Sequence, residues 1–267
     1  MIGVFGATFA HAADPAPVVA AERAFAADGA KNGVQASFLR WSAPEAVVFA
    51  PEPVNAQAFY RARPDKAGAV LTWRPTYAGL AQSGDLGFTT GPYAVNGKPG
   101  GHYFTVWARQ PDGSWKWVYD GGVDNDAASA PPAEAPVAAM PAMEVPAQSP
   151  DAAMAAAGAA EDALAAGAAK DAPAAYRQVL AADARLQGSP AAPATTPAAV
   201  SRELAARASQ IRFQRLGGGA SAAGDLAWTY GSAAWDGGRG HYVRIWQRRG
   251  DWRLVFDQLL SAPPPKS

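Results

Sequence analysis

The chain has 267 residues, in which 23 lysines and arginines balance 23 aspartates and glutamates, and it contains no cysteine. The missing cysteines exclude disulfides, thiolate metal sites and a cysteine nucleophile. The balanced charge, with no basic run longer than an arginine pair, argues against nucleic acid or an anionic membrane as a partner.

The segment 1–13 is mostly apolar and ends in an Ala-x-Ala pattern. This order is typical of the core and cleavage site of a secretory signal, here without its basic start. We therefore expect residues 1–13 to be a truncated signal segment and the protein to be periplasmic or secreted; an ordinary frayed terminus is the alternative. No membrane span is expected elsewhere, because the alanine-rich run 152–169 is interrupted by Glu161 and Asp162.

The segment that follows predicts helices and then a meander of strands. Gly33 should break the first helical stretch, and Asn55 is placed to cap a short helix. The Asn-Gly pair at 96–97 and the Asp-Gly pair at 112–113 predict turns between strands. In chain order, the predicted elements are helical residues 18–41, a strand at 46–50, a helix at 55–62 and strands at 70–74, 86–95, 102–109 and 114–120.

Residues 125–150 are mostly alanine and proline. Because proline lacks a backbone N–H and interrupts helices, this stretch predicts an extended, semi-rigid linker that does not donate regularly to a sheet. We therefore expect two domains, at residues 14–124 and 151–262, and a short tail at 263–267.

The second domain repeats the order of the first. Helical residues 151–180, interrupted at Pro173, precede a helix that begins at Thr196 and runs to residue 208, and a strand is predicted at 210–216. Gly-Asp-Leu, Gly-His-Tyr, two tryptophans and an aspartate recur in both halves in the same order and at a nearly constant displacement along the chain. So constant a displacement indicates an internal duplication.

Helices followed by an antiparallel meander predict an α+β domain, with the helices packed on one face of a curved sheet. The chain also carries Glu22-Arg23-Ala24-Phe25, Ser83-Gly84-Asp85-Leu86 and Gly101-His102-Tyr103. In these segments it resembles the nuclear transport factor 2-like superfamily, in its uncharacterised ketosteroid-isomerase-like or cystatin-like bacterial branch. This resemblance implies two tandem cones, each a kinked helix and a strongly bent sheet around an apolar pocket. Members include isomerases, dehydratases, hydrolases and proteins that only bind, so no reaction follows.

Strand alternation divides the side chains of the third meander strand between two faces. The set that contains His102, Phe104 and Val106 is expected to pack under the helices. The opposite face, which is aromatic and polar, suits an interface between the two domains. We expect an intramolecular pseudo-dimer whose interface contains Tyr103, Trp107, Tyr242, Arg244 and Trp246.

Candidate ligand-binding residues are two histidines, each paired with an aspartate, and two tryptophans that could line the pockets. They are His102 with Asp85 or Asp120, His241 with Asp225 or Asp257, and Trp73 and Trp228. A histidine oriented by a carboxylate at the rim of an apolar cavity could move protons. The alternative is that the turn aspartates satisfy backbone donors and the histidines bond locally. With one internal histidine in each copy, no metal site is expected, and no cofactor either, since the run 217–222 opens no helix.

The sequence favours an exported protein that binds an apolar small molecule or a protein partner without turnover. An enzyme of the ketosteroid isomerase or cyclase type and a structural envelope module are the alternatives. Any retained site is expected in the first copy, because Thr105 is uncharged where the second copy has Arg244.

Overall fold

The computed structural model describes residues 14–64 and 68–264. Helices precede strands in both halves, which confirms the predicted α+β class with two tandem domains. The first domain contains α1 (Ala16–Asn32), α2 (Val34–Trp41), β1 (Ser42–Phe49), β2 (Pro53–Asn55), α3 (Ala56–Arg61), β3 (Leu71–Trp73), β4 (Tyr77–Leu80), β5 (Leu86–Val95), β6 (Lys98–Arg109) and β7 (Trp115–Asp124). The linker holds β8 (Ala138–Ala139), and the second domain contains α4 (Pro150–Val179), β9 (Leu180–Gln187), α5 (Pro197–Ala206), β10 (Arg212–Ala220), β11 (Leu226–Trp235), β12 (Gly238–Arg249) and β13 (Asp251–Ala262).

The two sheets share a five-strand arrangement, β4-β5-β6-β7-β1 in the first domain and β10-β11-β12-β13-β9 in the second, and the first sheet has three further strands, of which β3 pairs with β5. The first sheet has the order β2-β1-β7-β6-β5-β4-β8, and the second has the order β10-β11-β12-β13-β9. In each, the strand that follows the first helices pairs in parallel with the last meander strand, and the meander itself is antiparallel. The predicted signal segment 1–13 lies outside the described residues. No helix in the described parts of the chain has the length and apolar character needed to cross a membrane.

The helices begin and end where local chemistry predicts. The Asn55 side chain accepts a hydrogen bond from the Ala58 N–H at 3.0 Å and so caps α3. Gly33, with φ 84°, separates α1 from α2. In α4 the break falls just before Pro173, at Asp171, whose backbone leaves the helical region. Its carboxylate then accepts from the Ala174 N–H at 2.9 Å and restarts the helix.

The linker differs from the prediction, because part of it joins the first sheet. The Ala138 N–H donates to the Thr76 carbonyl at 2.9 Å, and the Met140 N–H donates to the Ala78 carbonyl at 2.8 Å. Pro136 and Pro141 lie outside this short pairing, so no donor is lost within it. The linker contributes β8, and it is not extended throughout as predicted, because hydrogen-bonded turns close between Ala127 and Ala130 and between Pro132 and Ala135.

The two domains contact each other through the sheet faces that point away from the helices. The Phe104 and Phe256 rings stack at 4.0 Å, and the Phe88 ring lies 6.0 Å from Phe256. The Tyr119 hydroxyl donates to Gln258 at 3.2 Å. All these side chains are buried. The interface therefore has an aromatic core that is closed to solvent.

Two equivalent turns also exchange hydrogen bonds across this interface. Asp225 accepts from the Gln82 N–H at 2.9 Å, and Asp85 accepts from the Ala222 N–H at 2.9 Å. Gln82 and Ala222 are themselves equivalent positions of the repeat, since each lies three residues before its turn aspartate. Reciprocal contacts of this kind are what a twofold axis requires, so the arrangement is compatible with an intramolecular pseudo-dimer.

The predicted assignment of the sheet faces is wrong. Trp107 donates to Glu22 of α1 at 2.9 Å and Arg244 donates to Glu161 of α4 at 3.0 Å, so these side chains lie under the helices. Strand pairing places Tyr103, Tyr242 and Trp246 on the same faces. Both faces of each sheet are buried, one by helices and the other by the partner domain. The apolar character of the side chains therefore could not show which face of a sheet lies under the helices.

Candidate functional site

The first domain encloses a cavity of about 350 Å³ between α2, α3 and the helix-facing side of its sheet. Its walls are mostly aromatic and apolar, as is typical of small-molecule sites. Leu260, from β13 of the second domain, completes the wall. Other lining side chains include Phe38, Phe59, Tyr60, Trp73, Tyr93, Tyr103 and Asp120. We call this space the first cavity.

Asp120 is the only carboxylate among the described residues that line the first cavity. The Thr105 hydroxyl donates to its Oδ1 atom at 2.6 Å. Its carboxyl borders the cavity space and is partly exposed there. The loss of surrounding water raises the pKa of Asp120 to about 8, against the lowering effect of Thr105 and with a further rise from Glu22. Asp120 is therefore mostly protonated at neutral pH and can both donate and accept a hydrogen bond.

Glu22 of α1 lies behind the cavity wall and is completely buried. It accepts hydrogen bonds from the indole N–H of Trp73 at 2.6 Å, from that of Trp107 at 2.9 Å and from the Thr89 hydroxyl. Burial raises the pKa of Glu22, although these three donors oppose the shift. The bond to Trp73 fixes a ring that forms part of the cavity wall.

Tyr103 also lines the first cavity, and its buried hydroxyl has no hydrogen-bond partner among the described residues. Burial raises the pKa of Tyr103 well above its usual range, and the charge of Glu22 adds to this shift. The hydroxyl therefore stays protonated. A buried polar group without a partner is costly, so a ligand that bonds to it would recover free energy.

On the helix-facing side of the second sheet lies Arg244, whose side chain is fully buried. Its guanidinium donates to Asp257 at 2.7 Å, to Glu161 at 3.0 Å and to the Tyr176 hydroxyl at 2.9 Å. It also lies 3.9 Å from the centre of the Tyr242 ring. Burial opposes ionisation of Asp257, yet Arg207 and Arg244 hold its pKa below the ordinary value. The second domain therefore carries an internal ion cluster on this face, beside a smaller cavity of about 210 Å³ that Glu203, Arg207 and Leu259 help to line.

The two sites differ at one decisive position. Glu22 and Asp120 are equivalent to Glu161 and Asp257, because their separations along the chain match the displacement of the repeat. By the same displacement, Thr105 is the counterpart of Arg244. No ion pair to Glu22 or Asp120 exists within the described parts of the chain, whereas the second pair of carboxylates is neutralised by arginine.

The histidines do not lie where the sequence predicted. The Nδ1 atom of His102 lies 2.7 Å from the side-chain oxygen of Asn125. The Nε2 atom of His241 lies 3.2 Å from a carboxylate oxygen of Glu52. The His241 ring packs 5.0 Å from Phe49. Both lie on the outer faces of their sheets, because they alternate with side chains that face the helices. Their predicted pairing with aspartates is wrong. The alternative of local hydrogen bonds suits His102, which bonds at the end of its own domain, but not His241, which contacts Glu52 of the first domain.

Two of the predicted ligand-binding residues, Trp73 and Asp120, line the first cavity. Asp85 and Asp225 serve the turns between the domains, and Asp257 belongs to the ion cluster. The Trp228 ring stacks on the Tyr230 ring, with their centres 5.6 Å apart. Trp228 pairs with Ile245 of the next strand, so its side chain lies on the outer face of the sheet and not on the helix-facing side.

Sequence reasoning missed Glu22 as part of the site, although a signal was present. Val18, Glu22 and Phe25 occupy one face of α1, and all three are buried. A single carboxylate on an otherwise apolar helix face predicts a buried polar contact. Its recurrence as Glu161, at the displacement of the repeat, was a second indication.

Among the described residues, no group of histidine, aspartate and glutamate side chains is placed to hold a metal ion. No family model matches the sequence, and no curated protein matches it.

Solved structures are similar to part of the chain. A protein of unknown function with a cystatin-like fold from Nostoc punctiforme is 16% identical over 41% of this chain and 91% of its own, with a TM-score of 0.35. A ketosteroid isomerase-like protein from Erwinia carotovora atroseptica is 13% identical over 42% of this chain and 97% of its own, with a TM-score of 0.35. A nuclear transport factor 2-like protein of unknown function from Pseudomonas putida is 16% identical over 43% of this chain and 90% of its own, with a TM-score of 0.36.

Proposed function

We propose that the first domain binds a small, largely apolar molecule in the first cavity, and that the second domain is a docking partner without a site of its own. The observation that carries this proposal is the contrast between the aromatic first cavity of about 350 Å³ and the smaller cavity of about 210 Å³ in the second domain, whose wall contains the paired charges of Glu203 and Arg207. The second domain still contributes Leu260 to the cavity wall.

The chemistry of the cavity favours a neutral ligand with one polar end. Aromatic walls supply apolar contact area, and the protonated Asp120 and the Tyr103 hydroxyl supply hydrogen bonds at neutral pH. An anionic ligand would face the Asp120 carboxyl, with no basic side chain among the described lining residues. A hydroxyl or carbonyl group on a ring system fits these conditions.

The test uses 2-naphthol as the probe and isothermal titration calorimetry as the measurement. Thr105→Arg places the arginine of the second domain between Glu22 and Asp120, so it should weaken binding about tenfold or more. Thr72→Arg, on an exposed position of β3, is the matched control and should leave binding unchanged. Tyr103→Phe should weaken binding about threefold to tenfold, the effect of one lost neutral hydrogen bond.

Equal binding by the Thr105→Arg and Thr72→Arg proteins would contradict the proposal. Absence of 2-naphthol binding to the unmodified protein at millimolar concentration would favour the structural envelope module instead. Circular dichroism of each variant separates loss of binding from loss of fold.

A second candidate function, proton transfer on a bound carbonyl compound, is favoured by Asp120. A carboxyl with a pKa of about 8 in an apolar cavity is well matched to a general base near neutral pH. The test is exchange of the α-hydrogens of cyclohexanone in deuterated water, followed by NMR. If Asp120 is the base, exchange should rise with pH through about 8 and fall about a hundredfold in Asp120→Asn. If the protein exchanges the α-hydrogens of cyclohexanone no faster than buffer alone does, proton transfer is contradicted and the proposal of binding without turnover stands.

Export is a further part of the proposal. It is supported by the apolar segment 1–13 and its Ala-x-Ala pattern. Expression from the native gene with its upstream codons, followed by N-terminal sequencing of the mature protein, tests it. Cleavage after Ala12 is expected; an intact Met1 on protein recovered from the cytoplasm would contradict export.

A further inference from the structure

A second cavity, of about 450 Å³, lies where the two domains and the linker meet. It is on the outer faces of the sheets and is separate from the first cavity, with which it shares no lining residue. His102 lines it from β6, Pro131 and Pro136 from the linker, and Arg185 and Gln187 from β9. Neither domain contains this cavity alone, so we call it the junction cavity.

Arg185 brings a positive charge to the junction cavity. Its guanidinium stacks 3.5 Å from the centre of the Tyr77 ring, and no carboxylate of the described residues lies within ion-pair distance of it. Asp183, the acidic group whose charge reaches Arg185, is held by Arg249 at 3.0 Å. The charge of Arg185 is therefore not compensated by an ion pair within this part of the structure.

Gln187 adds hydrogen-bonding capacity that the described residues do not use. Its side chain is 1% exposed, and neither its amide nitrogen nor its amide oxygen has a partner among them. Burying an amide without a partner is unfavourable, and such a group in a native structure calls for an explanation. His102 is bonded through Nδ1 to Asn125, and its Nε2 has no hydrogen bond within the described residues.

We propose that the junction cavity binds a small organic carboxylate. A guanidinium and a carboxylate match in charge and in planar geometry, and the pair forms strong charge-assisted hydrogen bonds. The Gln187 amide and the His102 ring supply further polar contacts near Arg185. In the remaining wall, three prolines, three alanines and Phe256 suit an apolar body of several carbon atoms, and four serine and threonine side chains lie among them.

The position of the junction cavity gives this binding a consequence for the whole chain. A ligand that contacts β6, the linker and β9 at once binds only when the two domains are docked. By mass action it stabilises the docked arrangement over any state in which the domains separate. The junction cavity thereby couples occupancy by a carboxylate to association of the domains.

The experiment compares benzoate with benzamide, which has the same shape but no charge, by isothermal titration calorimetry on the full chain. Benzoate should bind at least about tenfold more tightly, because only it can pair with Arg185. Arg185→Met keeps an unbranched apolar stem against Tyr77 and removes the charge, so it should abolish the preference. Arg212→Met, at an exposed position on β10, is the matched control and should keep it.

Amide chemical shifts locate the site independently of any variant. Benzoate should shift the resonances of Gln187, Ala192 and Thr195, and it should do so equally in the Thr105→Arg protein, because Thr105 does not line the junction cavity. Equal affinity for benzoate and benzamide, the same preference in Arg185→Met as in Arg212→Met, or shifts confined to the first cavity would each overturn the proposal. No benzoate binding at millimolar concentration would also overturn it.

Discussion

Thr105 and Arg244 occupy equivalent positions on the helix-facing sides of the two sheets, and each bonds to the aspartate opposite it on the next strand. Thr105 holds Asp120 at the wall of the first cavity, whereas Arg244 joins Asp257 and Glu161 in a buried ion cluster. One position thus separates a domain with a candidate binding site from a domain stabilised by an internal ion cluster.

The ion cluster predicts a large loss of stability on removal of its central cation. Arg244→Thr leaves Glu161 and Asp257 buried with their main partner missing, although Arg207 still bonds to Asp257. We expect a loss of about 3–5 kcal/mol in the free energy of unfolding, measured by urea denaturation. Arg212→Thr, at an exposed position, is the control and should change it by less than about 0.5 kcal/mol. A similar small change in Arg244→Thr would contradict the role given to the cluster.

Glu22 is predicted to support the first cavity through its three donors. Glu22→Ala leaves the indole groups of Trp73 and Trp107 and the Thr89 hydroxyl without their common acceptor. We expect destabilisation of about 3 kcal/mol or more, since each unsatisfied buried donor costs about 1–3 kcal/mol. Glu22→Gln keeps one accepting oxygen and should lose less.

The measurement for Glu22 is urea unfolding followed by tryptophan fluorescence. Glu45→Ala, at an exposed position of β1, is the matched control and should be nearly neutral. If Glu22→Ala were as stable as Glu45→Ala, the hydrogen bonds to Glu22 would not support the fold.

The raised pKa of Asp120 predicts how stability depends on pH. The folded state binds the Asp120 proton more tightly than the unfolded state does, so folding is favoured where the group is protonated. Stability from this group is therefore present at low pH and lost as pH rises toward about 8. The slope from one such group is at most about 1.4 kcal/mol per pH unit.

Asp120→Asn removes this titration while keeping an oxygen that can accept from Thr105. Urea unfolding of both proteins at several pH values between about 5 and about 8 should show a shallower decline in Asp120→Asn. Parallel pH profiles for the two proteins would show that the pKa of Asp120 is not raised by folding.

Docking of the two domains is predicted to depend on Phe256. With a protease site inserted after Ala147, the cleaved halves should stay together in size-exclusion chromatography, because the outer faces bury stacked aromatic rings. Phe256→Ala should make them separate at micromolar concentration, since Phe→Ala in a packed core costs about 3–5 kcal/mol. Phe59→Ala, in the wall of the first cavity, is the control that should leave association intact. Separation of the unmodified halves would contradict the interface.

Local sequence signals determined the elements and their order. Asn55, Gly33 and the turn glycines act on the backbone over a short range, so the helices and the meander of both domains followed from them. The repeat likewise required only the order of residues along the chain. The linker was predicted as extended, but not its pairing with β4, because so short a strand has no pattern of its own.

Only the tertiary structure decided which face of each sheet is the cavity side. Alternation divides Phe104 from Thr105 with certainty, but it does not say whether helices or the other domain cover a given face. Because the partner domain buries the outer face as fully as the helices bury the inner one, both faces are apolar. The histidines were therefore assigned to the wrong side, and Tyr103 to the interface. The choice depends on contacts between residues far apart along the chain, such as Phe104 with Phe256, and a local pattern carries no information about those.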